Sequence, residues 1–155
     1  MEKMLISGVT KKSDIARLTV RRIGEKSAAF RMFGLLEKEN ITVDIILQAA
    51  GTDGDSEIAF TVDLADAAAA RELILRSGIC AEEDVDCDEN VAKVSVVGTG
   101  MESLHGAARA IFEAVYKENI DVLMLSSSEL RFSLVVRQEE ADRTVRAIHS
   151  LFVQD

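Results

Sequence analysis

Few residues in this chain have side chains that do chemistry, and their spacing decides which chemistry is open to them. Cys80 and Cys87 are the only thiols, His105 and His149 the only imidazoles. A structural zinc site needs four ligands at short, regular spacings, and a disulfide framework needs more cysteines, so reduced, structural thiols and non-ligating imidazoles are expected. No metal or other cofactor is expected. Arg21, Arg22, Arg109 and the pair Glu139-Glu140 carry the charges that an acyl-phosphate or mutase-type catalyst would gather in one cleft. Here they fall on helix faces and strand ends, where solvated charges ordinarily stand, so no catalytic residue is assigned. Gly98-Thr99-Gly100 is too short to cradle a triphosphate and reads as a tight strand-to-helix turn that uses glycine's backbone freedom.

The composition narrows the classes further. The 155 residues are 48% hydrophobic, contain no proline and carry a net charge of −9, enough for one moderate core or two small ones. Phosphate recognition needs clustered Lys and Arg, whereas the basic residues here are scattered among acids, so no nucleic-acid partner is expected. No apolar run approaches the ~20 residues of a membrane helix, and the N-terminal MEKMLISG lacks a signal-peptide core. A cytoplasmic protein without a membrane partner is expected.

A repeat organises the elements. Ala16-Arg17-Leu18-Thr19-Val20 recurs as Ala92-Lys93-Val94-Ser95-Val96, both alternating like a half-buried strand. Phe33 matches Phe112 at the same distance before Glu39-Asn40-Ile41 and Glu118-Asn119-Ile120, each of which leads from a helix into a second strand. Glu57 to Val62 and Glu129 to Leu134 read as third strands, the first reached through the turn signal Gly51-Thr52-Asp53-Gly54-Asp55. A last helix follows each time, over Asp63 to Arg76 and over Glu139 to Phe152, the latter with Ala141, Val145, Ile148 and Phe152 along one stripe.

Each half thus reads β-α-β-β-α and needs a fourth strand. Asp84 to Cys87 serves the first half, while the orphan strand Met4 to Val9 is lent to the second. The predicted fold is α+β: two ferredoxin-like βαββαβ modules, each an antiparallel four-stranded sheet with two helices on one face, the first inserted in the second. The expected boundaries are 12–88 for the first module and 1–11 plus 89–155 for the second.

The chain resembles the tandem ACT-domain regulatory region of bacterial aspartate kinases. The matching words are Asn40 to Gln48, Val91 to Met101, Ser126-Ser127-Ser128-Glu129-Leu130 and Ala147 to Phe152, in this order and spanning nearly the full length. The resemblance implies a homodimer built by pairing ACT modules, lysine and/or threonine as feedback effectors, and an aspartate kinase catalytic domain or subunit as partner. No nucleotide-phosphate loop followed by lysine is present, so the kinase itself is expected elsewhere.

The resemblance also implies where an effector sits: between modules, at the loop after the first strand, where a helix begins. In the first module this loop is Ile23 to Ala28, with Glu25 and Lys26 matching the family's Asp-Lys in kind, Ser27 standing at the family's glycine and the proline absent. Gln48 matches the glutamine that reads the effector. In the second module the loop is Met101 to Gly106, with His105 at the family's proline, and Asp121-Val122 stands where the family has Asn-Ile. Ser128 and Glu129 match the family's Ser-Glu. The implied roles are amide donors for a carboxylate at Ser27, Ala28 and Gly106 and acceptors for an ammonium at Gln48, Asp121 and Glu129. A degenerate pair that only holds a dimer together would share this fold and show no response to amino acids.

Overall fold

The computed structural model describes residues 5–51, 54–99, 104–128 and 131–152. The element order is β1 (Leu5–Ile23), α1 (Ala28–Lys38), β2 (Val43–Ala50), β3 (Ser56–Asp63), α2 (Ala67–Arg76), β4 (Val85–Thr99), α3 (Leu104–Lys117), β5 (Met124–Ser127), β6 (Arg131–Arg137) and α4 (Ala141–Phe152). The chain divides into two compact units, Asp14–Asn90 and Met1–Ser13 with Val91–Asp155.

Four strands expected as separate pieces are two. Leu5 to Val9 and Ala16 to Val20 belong to one strand, β1, and Val85 to Cys87 joins Ala92 to Val96 in β4; Met4 lies outside the described residues. No proline interrupts either stretch, and the single glycine near the start of β1, Gly8, has open space around it, so nothing forces a turn. Helices α2 and α4 begin later than their sequence stripes suggest, each after one 3₁₀ turn, at Leu64–Asp66 and Gln138–Glu140. Strand β5 is only four residues long, shorter than the matching word in the first half.

In the 14–90 unit the strand order is β2-β3-β1-β4. Strands β1 and β2 run antiparallel to β3, with Leu18 opposite Phe60 and Gln48 opposite Ile58. Alternate residues Ala16, Leu18 and Val20 of β1 face Ala28, Met32 and Leu36 of α1 and Ala67, Ala70 and Ile74 of α2 in one buried cluster, so both helices lie on one face. Phe33 closes it edge-on to Phe60, centroids 5.5 Å apart. The second unit repeats the plan with order β1-β4-β6-β5, burying Val94, Val96, Leu134 and Val136 against Ala107, Ile111 and Val115 of α3 and Ala141 and Ile148 of α4. On α4 the sequence stripe omitted Thr144, which is fully buried because its hydroxyl donates to the Glu140 carbonyl at 2.7 Å.

The repeated Glu-Asn-Ile word has a backbone cause. Asn40 and Asn119 both stand at positive φ, 58° and 54°, each just past a helix. In the first unit Asn40 N–H donates to Glu37 O and Ile41 N–H to Leu36 O, both at 2.9 Å; in the second, Asn119 N–H donates to Tyr116 O at 3.0 Å and Ile120 N–H to Val115 O at 2.9 Å. This is the Schellman ending, in which a left-handed residue turns two amides back onto the last helical carbonyls. Ile41 with Leu36, and Ile120 with Val115, supply its apolar contact inside the two cores. Asparagine tolerates that backbone region and alanine does not. Asn40→Ala and Asn119→Ala are each expected to lower stability by about 1 kcal/mol, with Asn40→Gly close to wild type, as read from urea unfolding.

A second irregularity lies in β2, where pairing with β3 jumps between Val43 and Ile46. The buried Thr61 hydroxyl accepts the Ile45 amide there at 3.1 Å. Thr61→Val keeps the shape and orphans that amide, so a loss of about 1–3 kcal/mol in the same unfolding measurement is expected.

Candidate functional site

Strand β1 does not end smoothly. Its register with β3 shifts between Val20 and Ile23, and Arg22 inside that bulge has φ 57°. A bulge bends a strand and re-aims the residues beyond it, and here it delivers the chain to the loop Gly24–Ser27 with Ile23 buried as an anchor. The Arg22 guanidinium lies 3.6 Å from Asp84, while Arg21 bonds Asp86 and approaches Glu57 to 3.2 Å. Those carboxylates hold the Arg21 guanidinium above its already high ordinary pKa, the Asp86 hydrogen bond contributing most.

The loop, the start of α1 and the β2–β3 hairpin enclose a cavity of about 240 Å³. Gly24, Glu25 and Lys26 of the loop, Ala29 of α1, Gln48 of β2 and Ser56 of β3 supply its wall, with Ile23 and Ile58 beneath. That volume is below the ~300–1,000 Å³ of sites for drug-sized ligands and of the scale of one amino acid. The hairpin is drawn tight beside it: Gly51 N–H donates to Asp55 O at 2.5 Å, and a Cβ on Gly51 would stand 2.7 Å from that oxygen, so only glycine fits. Gly54 takes φ 83° in the same turn.

The chemistry of the wall suits a zwitterion. The first amides of any helix lack intrahelical partners and favour an anion. Ser27 stands at the N-cap of α1 but its hydroxyl makes no cap bond, and no acidic side chain occupies the first turn. Gln48 is exposed on β2 and its amide both donates and accepts. Lys26 and Glu25 offer one charge of each sign.

Of the residues singled out in the sequence, the structure brings Glu25 and Gln48 to one cavity. Ser27 and Ala28 adjoin it without lining it: the Ala28 side chain is buried in the core and its amide donates to Glu25 O at 3.3 Å, leaving Ala29 on the wall. In the second unit Gly106 is exposed near the start of α3, Asp121 is exposed ahead of β5, and Val122 packs against the core. Ser128 is exposed, and its amide donates to Arg131 O at 2.8 Å. Met101 and Glu129 lie outside the described residues.

Two polar participants, besides the lining residue Ala29, were not singled out. Ser56 opens β3 on the cavity wall, and its hydroxyl approaches the Ile23 carbonyl at 3.5 Å. Arg31, one turn into α1, pairs with Glu25 at 2.7 Å; its sequence signal is a cation six residues after an acid across a helix start. Among the described residues no His, Cys, Asp and Glu cluster has the makings of a metal site, and no helix is long and apolar enough to cross a membrane.

Two compact units, each burying a helix pair on one face of its strands, with a cavity where the first strand turns into the first helix, define a protein of the ACT-domain class. The separate four-stranded sheets expected are instead one six-stranded sheet, because β1 and β4 run unbroken, and residues 94–152 match the ACT domain family itself. Over its whole length the chain is 38% identical to the aspartate kinase of Stutzerimonas stutzeri, of which it spans 38%, as it does of the Pseudomonas aeruginosa aspartokinase at 37% identity. Among solved structures it is similar to a chain of the aspartokinase alpha and beta subunits (31% identity, TM-score 0.84, covering 95% of this chain and 98% of that one). It is likewise similar to the regulatory subunit of aspartate kinase from Thermus flavus (30%, TM-score 0.85, 96% and 99%). The chain belongs to this family: it is a regulatory part of aspartate kinase.

The two thiols are both half-buried, and burial is the first cause pushing each above its ordinary pKa, helped by Asp84 at Cys80 and by Glu89 at Cys87. Since the thiolate is the nucleophile, both cysteines are expected to alkylate more slowly at pH 7–8 in the folded chain than in urea, with the native rate rising as pH climbs. Mass-spectrometric counting of iodoacetamide adducts checks this.

Proposed function

We propose that this chain senses an amino acid for an aspartate kinase: a free amino acid, lysine and/or threonine, binds at the β1–α1 loop, and a dimer formed by its ACT modules carries the signal to a kinase catalytic domain or subunit. The observation that carries the reading is the convergence of Glu25, Lys26, Gln48 and the start of α1 on a cavity of amino-acid size. In this reading the carboxylate of the effector takes amides at the start of α1, its ammonium takes Glu25 and the Gln48 carbonyl, and Gln48's N–H group is left to read the rest of the molecule.

The second half of the proposed set, Met101, Gly106, Asp121, Val122, Ser128 and Glu129, would serve an effector at the second module. Asp121 adds an ammonium acceptor where the family has a neutral residue, so an effector bearing a second amine gains there. An interaction between partly desolvated charges at ~4 Å is worth on the order of 1 kcal/mol or more, which favours lysine over threonine at that position. The edge strand β2 supports the dimer: Ile46 and Leu47 are 49% and 39% exposed, and an open apolar edge invites pairing with a second chain.

Calorimetric titration of the full chain with lysine, threonine and then the other amino acids tests the reading. Saturable binding of one of them, weakened at least tenfold by Gln48→Ala, is the expected result, and tenfold corresponds to about 1.4 kcal/mol. No heat and no thermal shift with any amino acid at millimolar concentration would instead assign the chain to dimerisation alone.

A further inference from the structure

We propose that Arg31 is the positioning residue of the effector loop, a latch that holds Glu25 in place from a fixed post at the end of α2; this rests on the amino-acid-sensor reading above. The guanidinium bridges two elements. Its Nη1 meets Glu25 Oε2 at 2.7 Å, and its Nη2 donates to the Ser77 carbonyl at 3.0 Å.

The Ser77 end is the rigid one. Ser77 is the C-cap of α2; its amide donates to Leu73 O at 3.1 Å, its hydroxyl donates to Ile74 O at 2.5 Å, and the Ile79 amide donates back to that hydroxyl at 3.3 Å. Gly78 comes next at φ 73° and Ile79 is buried. With the Arg31 contact, four bonds converge on one residue between a packed helix and a core side chain. The carbonyls at a helix C-terminus also carry the negative end of its dipole, which favours a cation.

The Glu25 end is the one that needs holding. The loop has no proline, and the turn that closes it, from Ala28 N–H to Glu25 O, is long at 3.3 Å. Arg31 supplies the missing restraint with a planar fork that reaches two acceptors at once, which a lysine ammonium on a single flexible stem does not reproduce. A carboxylate has lone-pair sites for several donors, so Glu25 can keep Arg31 on Oε2 while its other oxygen takes a ligand ammonium. Preorganising that oxygen removes an ordering cost from binding. It also makes the effector loop and the α2–Ile79 junction move as one body, so occupancy of the cavity is felt where α2 leads toward β4.

Arg31→Gln, Arg31→Lys, Glu25→Gln and the Glu25→Gln/Arg31→Gln double variant of the full chain test this. The readouts are calorimetric affinity for the amino acid that binds wild type and amide hydrogen exchange at residues 24–28 and 78–79. Arg31→Gln is expected to weaken binding about three- to tenfold, the range of a partly exposed charge-assisted pair, and to speed exchange in both segments together. Arg31→Lys keeps the charge and is expected to restore protection in at most one segment. In the Glu25→Gln background the Arg31 change is expected to add no further loss of affinity, the signature of a residue acting through another.

Unchanged affinity and unchanged exchange in Arg31→Gln overturn the proposal, as does a loss that is additive with Glu25→Gln. Should wild type bind no amino acid, the sensor reading falls and the latch stands or falls on exchange alone: a joint rise in both segments supports it, and exchange matching wild type overturns it.

Discussion

Everything in this molecule is arranged by the burial of one face of two long strands. In β1 the alternate residues Ala16, Leu18 and Val20 are fully buried, and in β4 so are Ala92, Val94 and Val96. Removing apolar surface from water is worth roughly 25 cal/mol per Å², and strand geometry confines that gain to every second side chain. Slipping either strand by one residue would put Arg17 or Lys93 into the core. Register is therefore fixed, and with it the points at which the strands end, the helices begin and the cavity opens.

One place where the regular pattern fails borders the candidate site. Ladder pairing breaks at Arg22, and the chain then turns into the loop that walls the cavity. An arginine in the left-handed region costs of order 1 kcal/mol, and the Asp84 contact offsets little of it because the guanidinium is 73% exposed. What stabilises the bulge is the burial of Ile23 immediately after it. Strain held in place by an apolar anchor is a means of keeping a loop in one conformation without filling the space in front of it, and that empty space is the cavity.

The sequence made the architecture legible because its two halves solve the same problem twice. The Asn40 and Asn119 words repeat because a left-handed helix ending repeats, and the alternating strands repeat because each sheet buries one face. What escaped the sequence was continuity: β1 and β4 look like short separate strands, since the polar runs Lys11-Lys12-Ser13 and Asp88-Glu89-Asn90 resemble loops, yet nothing in them breaks extended backbone. The site was legible only in part. Glu25 and Gln48 were reached through the family resemblance, whereas Ala29 and Ser56 line the same wall with side chains that carry no signal. Arg31 was hidden for another reason: one partner, Glu25, offers only a six-residue spacing across a helix start, and the other, Ser77, is 46 residues away and is brought to it only by the packing of α1 beside α2.

The sensor proposed above would work by difference and not by strength. An effector shifts an equilibrium only as far as its affinities for the two states differ, and reciprocity then requires that the kinase state alter effector affinity by the same factor. A ligand that fits a cavity of 240 Å³ would be too small to drive a large change through contact area, so in that proposal its leverage comes from charge. Glu25 is suited to that. It is 58% exposed and shared with Arg31, so a bound ammonium changes the electrostatic surroundings of the guanidinium without breaking the core. A coupling of about 1–3 kcal/mol is typical for allosteric pairs, and one redistributed charge-assisted hydrogen bond is of that order. On the proposed reading, the loop is held weakly enough for a single amino acid to move it and, being tied to the fixed end of α2, is connected well enough to pass the movement on.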